Sequence, residues 1–287
     1  MGKSILLGTV QFGLDYGINN HSGKPSEIRV FDILDTAWRN GIDTLDTANA
    51  YGNAMNLIAD YHRVSGNVFK INTKFKNLDV IGINKKIKSD LLLLQCTKIN
   101  ALFFHSYTEY KESGHNLFEL LKAKEEGLIT SIGVSIYTNE ELFDVINDPE
   151  IDIIQLPYNL LDNDFQRGIP INQAKEKGNK IQVRSVFLQG VFFIESKAIP
   201  PKLEMLKPWL ELITSIAAAS DITLESLCLL YPNAQGYIDE IIIGVDTKDQ
   251  LLRNLDSLKL FLPVAVKNEI DQISVYPSSI LYPPNWL

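Results

Sequence analysis

The stretch GIDTLDTANAYGN (41–53) reads as a complete strand-to-helix unit. Gly41 follows a helical pattern and can take the positive φ that closes a helix. The short run after it ends on Asp46, and Tyr51 stands just beyond, before the next helical pattern. Two later stretches share this layout: INTKF (71–75) carries Lys74 near its end, and ALFFHS (101–106) carries His105 directly after it. Working outward, apolar β-rich runs occur at 5–10, 44–47, 68–75, 101–104, 131–136, 151–156, 181–187 and 238–245. Helical spacing fills the gaps at 28–39, 54–64, 84–96, 117–126, 140–146 and 172–177, then at 203–219, 224–230 and 248–258. Eight strands alternating with helices over 287 residues predict one (β/α)8 (TIM) barrel domain covering 1–287. An open doubly wound sheet is the rival, but neither a G-x-G-x-x-G after the first strand nor a P-loop is present.

A parallel barrel gathers the C-terminal ends of its strands at one mouth, where such folds keep their chemistry. Asp46, Tyr51, Lys74 and His105 are therefore expected to meet there. Each also has a plain reading: Asp46 as a turn cap, Tyr51 as a packing residue, Lys74 as a solvated strand-end charge and His105 as a rim histidine. Their order and shared placement favour the joint reading. Long connections at 105–115 and 189–202 and the tail 276–287 are expected to shape the pocket. Their aromatics (Tyr107, Tyr110, Phe192, Phe193, Trp286) suit either a sugar face or simple loop anchoring.

Hydrophobic residues make up 45% and charged residues 22% of the chain, as in ordinary folded enzymes. A net charge of −8 disfavours nucleic acid and anionic membranes as partners. The only two cysteines, Cys96 and Cys228, sit in apolar helical patterns and read as buried thiols of a reducing compartment. The N-terminal apolar run is too short for a signal sequence, and a membrane span is not foreseen, so a cytoplasmic protein is expected. His21, His62 and His115 lack partners at ligand spacing, which predicts no metal.

Taken in order, GTVQFG (8–13), GIDTLDTANAYGN, INTKF, GLITSIGVS (127–135), IIQLPYNLLD (153–162), VRSVFLQG (183–190) and IIIGVDTKDQLLRNL (241–255) resemble the aldo-keto reductases over nearly the whole chain. That family consists of (β/α)8 barrels using NAD(H) or NADP(H) without a Rossmann domain. The resemblance implies that Asp46, Tyr51, Lys74 and His105 form a catalytic tetrad. The roles are chemically sensible. Carbonyl reduction needs a hydride on carbon and a proton on oxygen, and a positioned phenol can deliver the proton. A neighbouring ammonium, Lys74 oriented by Asp46, is expected to lower the tyrosine pKa from about 10. His105 would donate a hydrogen bond to the substrate oxygen.

By the same resemblance, Ser135 and Gln155 face the nicotinamide carboxamide, with Asn159 either supporting the site or serving as a turn residue. Ser185 and the backbone near Leu188 and Gly190 face the pyrophosphate. Gly244, Asp246, Thr247, Gln250 and Asn254 line the adenosine end, where a helix N-terminus presents amides. Several positions depart from the family pattern. Ile136 replaces an asparagine, Met55 a glutamate, and Arg184 an aromatic ring that would stack on nicotinamide. Arg184 is left with three readings: stacking, pairing with an acid in the barrel wall, or holding an anionic substrate group. NADP-specific relatives place Lys or Arg in this segment, where the chain has Gly244, Asp246 and Gln250; Asp246 would repel a 2′-phosphate and suits a ribose diol, which favours NAD(H) or use of both cofactors. Lys248 and Arg253 nearby could offset it.

The expected substrate is a small carbonyl compound, aldehyde or ketone, sugar-derived ones included, or the matching alcohol. A regulatory or scaffold barrel that binds the cofactor without turnover is the alternative. An aldolase or isomerase barrel with Lys74 as Schiff-base nucleophile is a third reading. Physiological substrate, direction and oligomeric state are not written in the sequence.

Overall fold

The alternation of strand and helix is realised in a computed structural model that describes residues 3–20, 22–76 and 80–286. Eight parallel strands close into a barrel in sequence order: β1 (Ser4–Gly8), β2 (Thr44–Asp46), β3 (Lys70–Phe75), β4 (Ile99–Phe104), β5 (Ile129–Ser135), β6 (Ile153–Pro157), β7 (Lys180–Arg184) and β8 (Glu240–Gly244). Closure is by β1 and β8, which pair from Ser4↔Glu240 to Gly8↔Gly244. Around the barrel lie α1 (Val10–Gly13), α2 (Glu27–Arg39), α3 (Ala54–Ser65), α4 (Val80–Leu94), α5 (Tyr107–Glu112), α6 (Leu117–Glu125), α7 (Asn139–Val145), α8 (Asp164–Glu176), α9 (Lys207–Ala219), α10 (Leu224–Asn233), α11 (Lys248–Ser257) and α12 (Val264–Asp271).

Strand alternation divides the side chains into two layers. Leu7, Leu45, Ile71, Leu102, Ile154, Val183 and Ile241 face outward and pack with the helices in the main core. The inner layer is mostly polar, with a small apolar cluster of Ala101, Phe103 and Ile153. Phe103 fits because β5 offers Gly133 beside it: a Cβ there would stand 2.3 Å from the ring.

The expected strands are all present, with β7 ending at Arg184 rather than continuing to 187. Past that point Ser185, Leu188 and Gln189 take positive φ (60°, 46° and 55°), which breaks the strand and turns the chain across the mouth. Such conformations cost on the order of 1–3 kcal/mol each and concentrate where a binding surface needs them.

Four helices differ from the sequence reading, and one of them, α1, starts at Val10, where the first strand was expected to end. The helix expected at 172–177 begins at Asp164 and runs through Pro170. Proline removes one helical hydrogen bond, and the carbonyl it frees, Gln166 O, accepts instead from Asn139 Nδ2 at 2.8 Å. The segment read as a loop at 105–115 contains α5, started by Ser106, whose side chain accepts from Glu109 N. α12 was not expected at all; Asn163 Nδ2, at the start of α8, ties the two helices together by donating to Ile270 O and Ile273 O.

Met55 is buried in the core, so its thioether replaces a polar contact with packing. His62 is likewise structural, with Nδ1 against Leu94 O at 2.7 Å and Nε2 accepting from Phe69 N. His21 lies outside the described residues. Among the described residues, no single helix is long and apolar enough to cross a membrane, and no cluster of three or more histidine, cysteine or carboxylate side chains is placed to hold a metal. Cys96 and Cys228 are free thiols.

Candidate active site

Asp46 closes β2, Lys74 sits one residue from the end of β3, and His105 follows β4, so the barrel brings all three to one mouth. Tyr51 arrives from the β2–α3 loop. That loop is fixed by backbone contact between two glycines: a Cβ on Gly13 would fall 1.7 Å from Tyr51 O, and one on Gly52 would fall 2.3 Å from Gly13 O. Only glycine at both positions lets the chains approach this closely.

Lys74 Nζ donates to Asp46 Oδ1 at 2.6 Å and to Thr47 O at 3.3 Å, with both charged side chains almost fully buried. It lies 5.4 Å from the centre of the Tyr51 ring. The Tyr51 and His105 rings meet edge to face, centroids 6.1 Å apart and planes at 87°. The four residues thus form one constellation.

Burial alone would lower the Lys74 pKa, but Asp46 and then Tyr51 more than offset it and hold Lys74 above its ordinary value as an ammonium. That protonated state argues against a Schiff-base nucleophile, which needs a neutral amine. Tyr51 corrects an expectation. Lys74 does pull its pKa down, but burial is the larger effect and the net direction is upward. Tyr51 is therefore a neutral phenol at neutral pH, its hydroxyl proton held more tightly than in water. Burial, and next Lys74, push His105 down to about 4 from 6.5. A neutral imidazole donates a hydrogen bond without carrying charge.

These directions set a pH dependence. The unfolded chain protonates His105 near pH 6.5 and the folded chain only near pH 4, so the unfolded state binds more protons between those values. This contribution is fully favourable above the unfolded value, and stability declines as pH falls from 6.5 toward about 4. Neither Tyr51 nor His105 changes protonation near neutrality, so kcat for carbonyl reduction is expected to stay level from about pH 6 to about pH 9. A fall centred at the ordinary histidine value of about 6.5 would show that His105 titrates as in solution.

The four residues line the inner part of a cavity of about 1150 Å³ that also reaches Ser135, Gln155, Arg184, Ser185, Gly190, Gly244, Asp246, Gln250 and Asn254. Two of the candidate cofactor residues do not line it. Leu188 is fully buried in the core, and the Thr247 side chain caps α11 by accepting from Gln250 N. Of the loop aromatics, Phe193 and Trp286 reach the cavity, as do Pro283 and Pro284 of the tail. Tyr107 and Tyr110 turn away to donate to Asp144 and Asp148, and Phe192 is packed in the core. Asn159 does both things expected of it: Oδ1 accepts from Leu161 N and Asp162 N, and Nδ2 donates to Ser185 O at 3.3 Å.

Gln155 has a second partner that the sequence did not reveal. Its Nε2 donates to Asp46 Oδ2 at 2.9 Å and to Gln182 Oε1 at 3.2 Å, and Gln182 Nε2 donates to Glu240 Oε2 at 2.6 Å. A buried hydrogen-bond chain thus runs from Lys74 through Asp46 across the barrel interior. The alternation of β7, with Gln182 two residues before Arg184, is the one sequence signal that could have found it. Tyr16, Tyr137 and Gln11 also line the cavity and were not singled out.

The cavity suits a long polar ligand with donor groups. Gln155 Oε1, Gln11 Oε1, Asp246 Oδ1 and Asn254 Oδ1 are buried acceptors without partners among the described residues, and such atoms are costly unless a ligand or water completes them.

A (β/α)8 barrel whose mouth holds an acid, a lysine, a tyrosine and a histidine together defines a class of carbonyl oxidoreductase. The chain belongs to the aldo/keto reductase family, whose model matches residues 4–275. Family members generally use nicotinamide cofactors. No curated protein matches the sequence. Among solved structures, it is similar to the aldo-keto reductase AKR11C1 from Bacillus halodurans in its holo form, at 18% identity and a TM-score of 0.77, covering 95% of this chain and 92% of the other. It is also similar to the glycerol dehydrogenase AKR11B4 from Gluconobacter oxydans, at 18% identity and a TM-score of 0.73, covering 94% and 90%. At such identities the likeness concerns the fold.

Proposed function

We propose that the protein reduces an aldehyde or ketone, or oxidises the matching alcohol, with NAD(H) or NADP(H) held in the cavity and NAD(H) favoured. The observation that carries this reading is the buried Lys74–Asp46 pair beneath a neutral Tyr51. When bound, the reduced nicotinamide supplies the hydride. Tyr51 gives its hydroxyl proton to the carbonyl oxygen, His105 donates a hydrogen bond to the same oxygen, and the Lys74 ammonium stabilises the phenolate that Tyr51 leaves behind. Asp46 keeps Lys74 charged, and Gln155 keeps Asp46 oriented.

Ser135 and the free Gln155 Oε1 would hold the carboxamide, and Ser185 with the backbone around Leu188 and Gly190 the pyrophosphate. Gly244, Asp246, Gln250 and Asn254 would hold the adenosine end, on the helix N-terminus that Thr247 caps. Preference for NAD(H) rests on Asp246, whose Oδ1 is a buried acceptor without a partner. The nearby cations are already engaged: Lys248 with Asp32 at 3.5 Å and Arg253 with Glu225 at 3.6 Å.

Fluorescence titration with NADH and NADPH, followed by a screen of aldehydes, ketones and alcohols, tests the reading. Since the Gluconobacter neighbour is named a glycerol dehydrogenase, small polyols and their carbonyl partners come first. Asp246→Arg is expected to move the NADPH-to-NADH affinity ratio toward NADPH by about tenfold or more, the scale of one charge-assisted contact. An unchanged ratio would mean that Asp246 is only a structural acceptor. Binding of both cofactors without turnover of any carbonyl or alcohol would favour a regulatory barrel instead.

A further inference from the structure

Arg184 ends β7 inside the cavity, its guanidinium 4.4 Å from the centre of the Tyr137 ring. Nη2 donates to Ile136 O at 3.2 Å and Nη1 to Ser185 Oγ at 3.4 Å. A guanidinium has five N–H donors, so these two neutral acceptors leave most of it unused. Arg39, Arg63, Arg167 and Arg253 each face a carboxylate. Arg184 has none within ion-pair distance among the described residues, which removes the reading that pairs it with an acid in the barrel wall.

The surroundings do not supply the missing charge. Lys74 is already matched by Asp46 at 2.6 Å. Burial, followed by Lys74, keeps His105 neutral, and burial pushes Tyr16 up to about 12, so it is neutral as well. Of the other acids on the cavity wall, Glu225 faces Arg253, and neither Asp15, which accepts from Lys24 N at 2.6 Å, nor Asp246 lies within ion-pair distance of Arg184. After the larger effect of burial, Arg184 pulls down the pKa of Tyr51, His105 and Lys74, so its charge acts in the reacting chamber itself. The mount is firm: the buried Arg167, paired with Asp162, donates to Tyr137 O at 2.5 Å, and the Tyr282 ring packs 5.8 Å from that of Tyr137.

A half-buried cation held on an aromatic face with open donors is a receptor for an oxyanion, which guanidinium grips through paired hydrogen bonds. We propose that Arg184 determines substrate specificity, and that the carbonyl or alcohol substrate carries an oxyanion, a carboxylate or a phosphate, near its reacting carbon. This rests on the carbonyl chemistry proposed above and narrows its substrate class to anionic compounds.

Calorimetric titration of the full chain, with and without NADH, using oxamate and inorganic phosphate as probes, tests the anion site directly. Arg184→Gln is expected to weaken binding of the preferred probe by about tenfold or more, and Arg184→Lys to restore part of it. Equal binding by wild type and Arg184→Gln overturns the proposal. The kinetic arm compares a 2-oxo acid with its methyl ester, and dihydroxyacetone phosphate with dihydroxyacetone. In the wild type the anionic member of one pair is expected to have kcat/KM at least about tenfold higher, and the ratio to collapse in Arg184→Gln, chiefly through KM. The pair that discriminates identifies carboxylate or phosphate. If Arg184→Gln weakens NADH binding and leaves the ratio unchanged, the guanidinium serves the cofactor and the proposal falls. Absence of turnover with every substrate would sink the reductase reading, while the calorimetry still decides the anion site.

Discussion

Replacing Tyr51 by Phe is expected to lower kcat for carbonyl reduction by about 10²–10⁴-fold, the range over which a positioned acid contributes. The substitution removes only the hydroxyl. The ring keeps its edge-to-face contact with His105 and its place beside Lys74, so thermal stability and NADH affinity are expected to hold. Single-turnover measurement of the hydride step with saturating cofactor is the appropriate assay, since it excludes product release. Wild-type rates in Tyr51→Phe would mean that another group delivers the proton and that the constellation has been assigned the wrong chemistry.

Asp46→Asn is expected to destabilise the fold by on the order of 3–5 kcal/mol, because it leaves a buried ammonium without its counter-ion. The side chain is nearly isosteric, so packing is preserved and the loss is electrostatic. Asp46 accepts from Lys74 at one oxygen and from Gln155 at the other. An amide can accept from only one of them and turns a donor toward the second. Urea unfolding measures the loss, and a change below about 1 kcal/mol would mean that Lys74 is not charged in the folded protein. Adding Lys74→Met to Asp46→Asn removes the stranded charge and is expected to recover much of the stability. Turnover is not expected to recover, because the phenolate then has no cation beside it. That separation distinguishes a catalytic pair from a merely structural one.

Much of the site is legible in the sequence because strand ends are locally encoded. Asp46, Lys74 and His105 each terminate or follow a β-rich run, and any closed parallel barrel collects such positions at one mouth. What was not legible were features set by competition between neighbours. The direction of the Tyr51 pKa depends on whether burial or Lys74 has the larger effect, and spacing does not report burial. The course of α8 through Pro170 depended on Asn139, a side chain 27 positions from the carbonyl it satisfies. Arg184 was left with three readings because whether an acid lies beside it depends on the seven other strands.

By itself the sequence determined the number of strands, their alternation with helices, and the four residues delivered to the mouth. Periods of two and 3.6 and the chemistry of chain ends are properties of adjacent residues. Only the tertiary structure decided which inward side chains touch. Asp46 and Gln155 are 109 positions apart, and they meet because closure of β1 on β8 and the registers in between place them across the barrel interior. A slip of one residue in a single register would turn that strand's inward set outward. The same through-space closure left Arg184 with open donors and, among the described residues, no acid within ion-pair distance, which is the basis for proposing an anionic substrate.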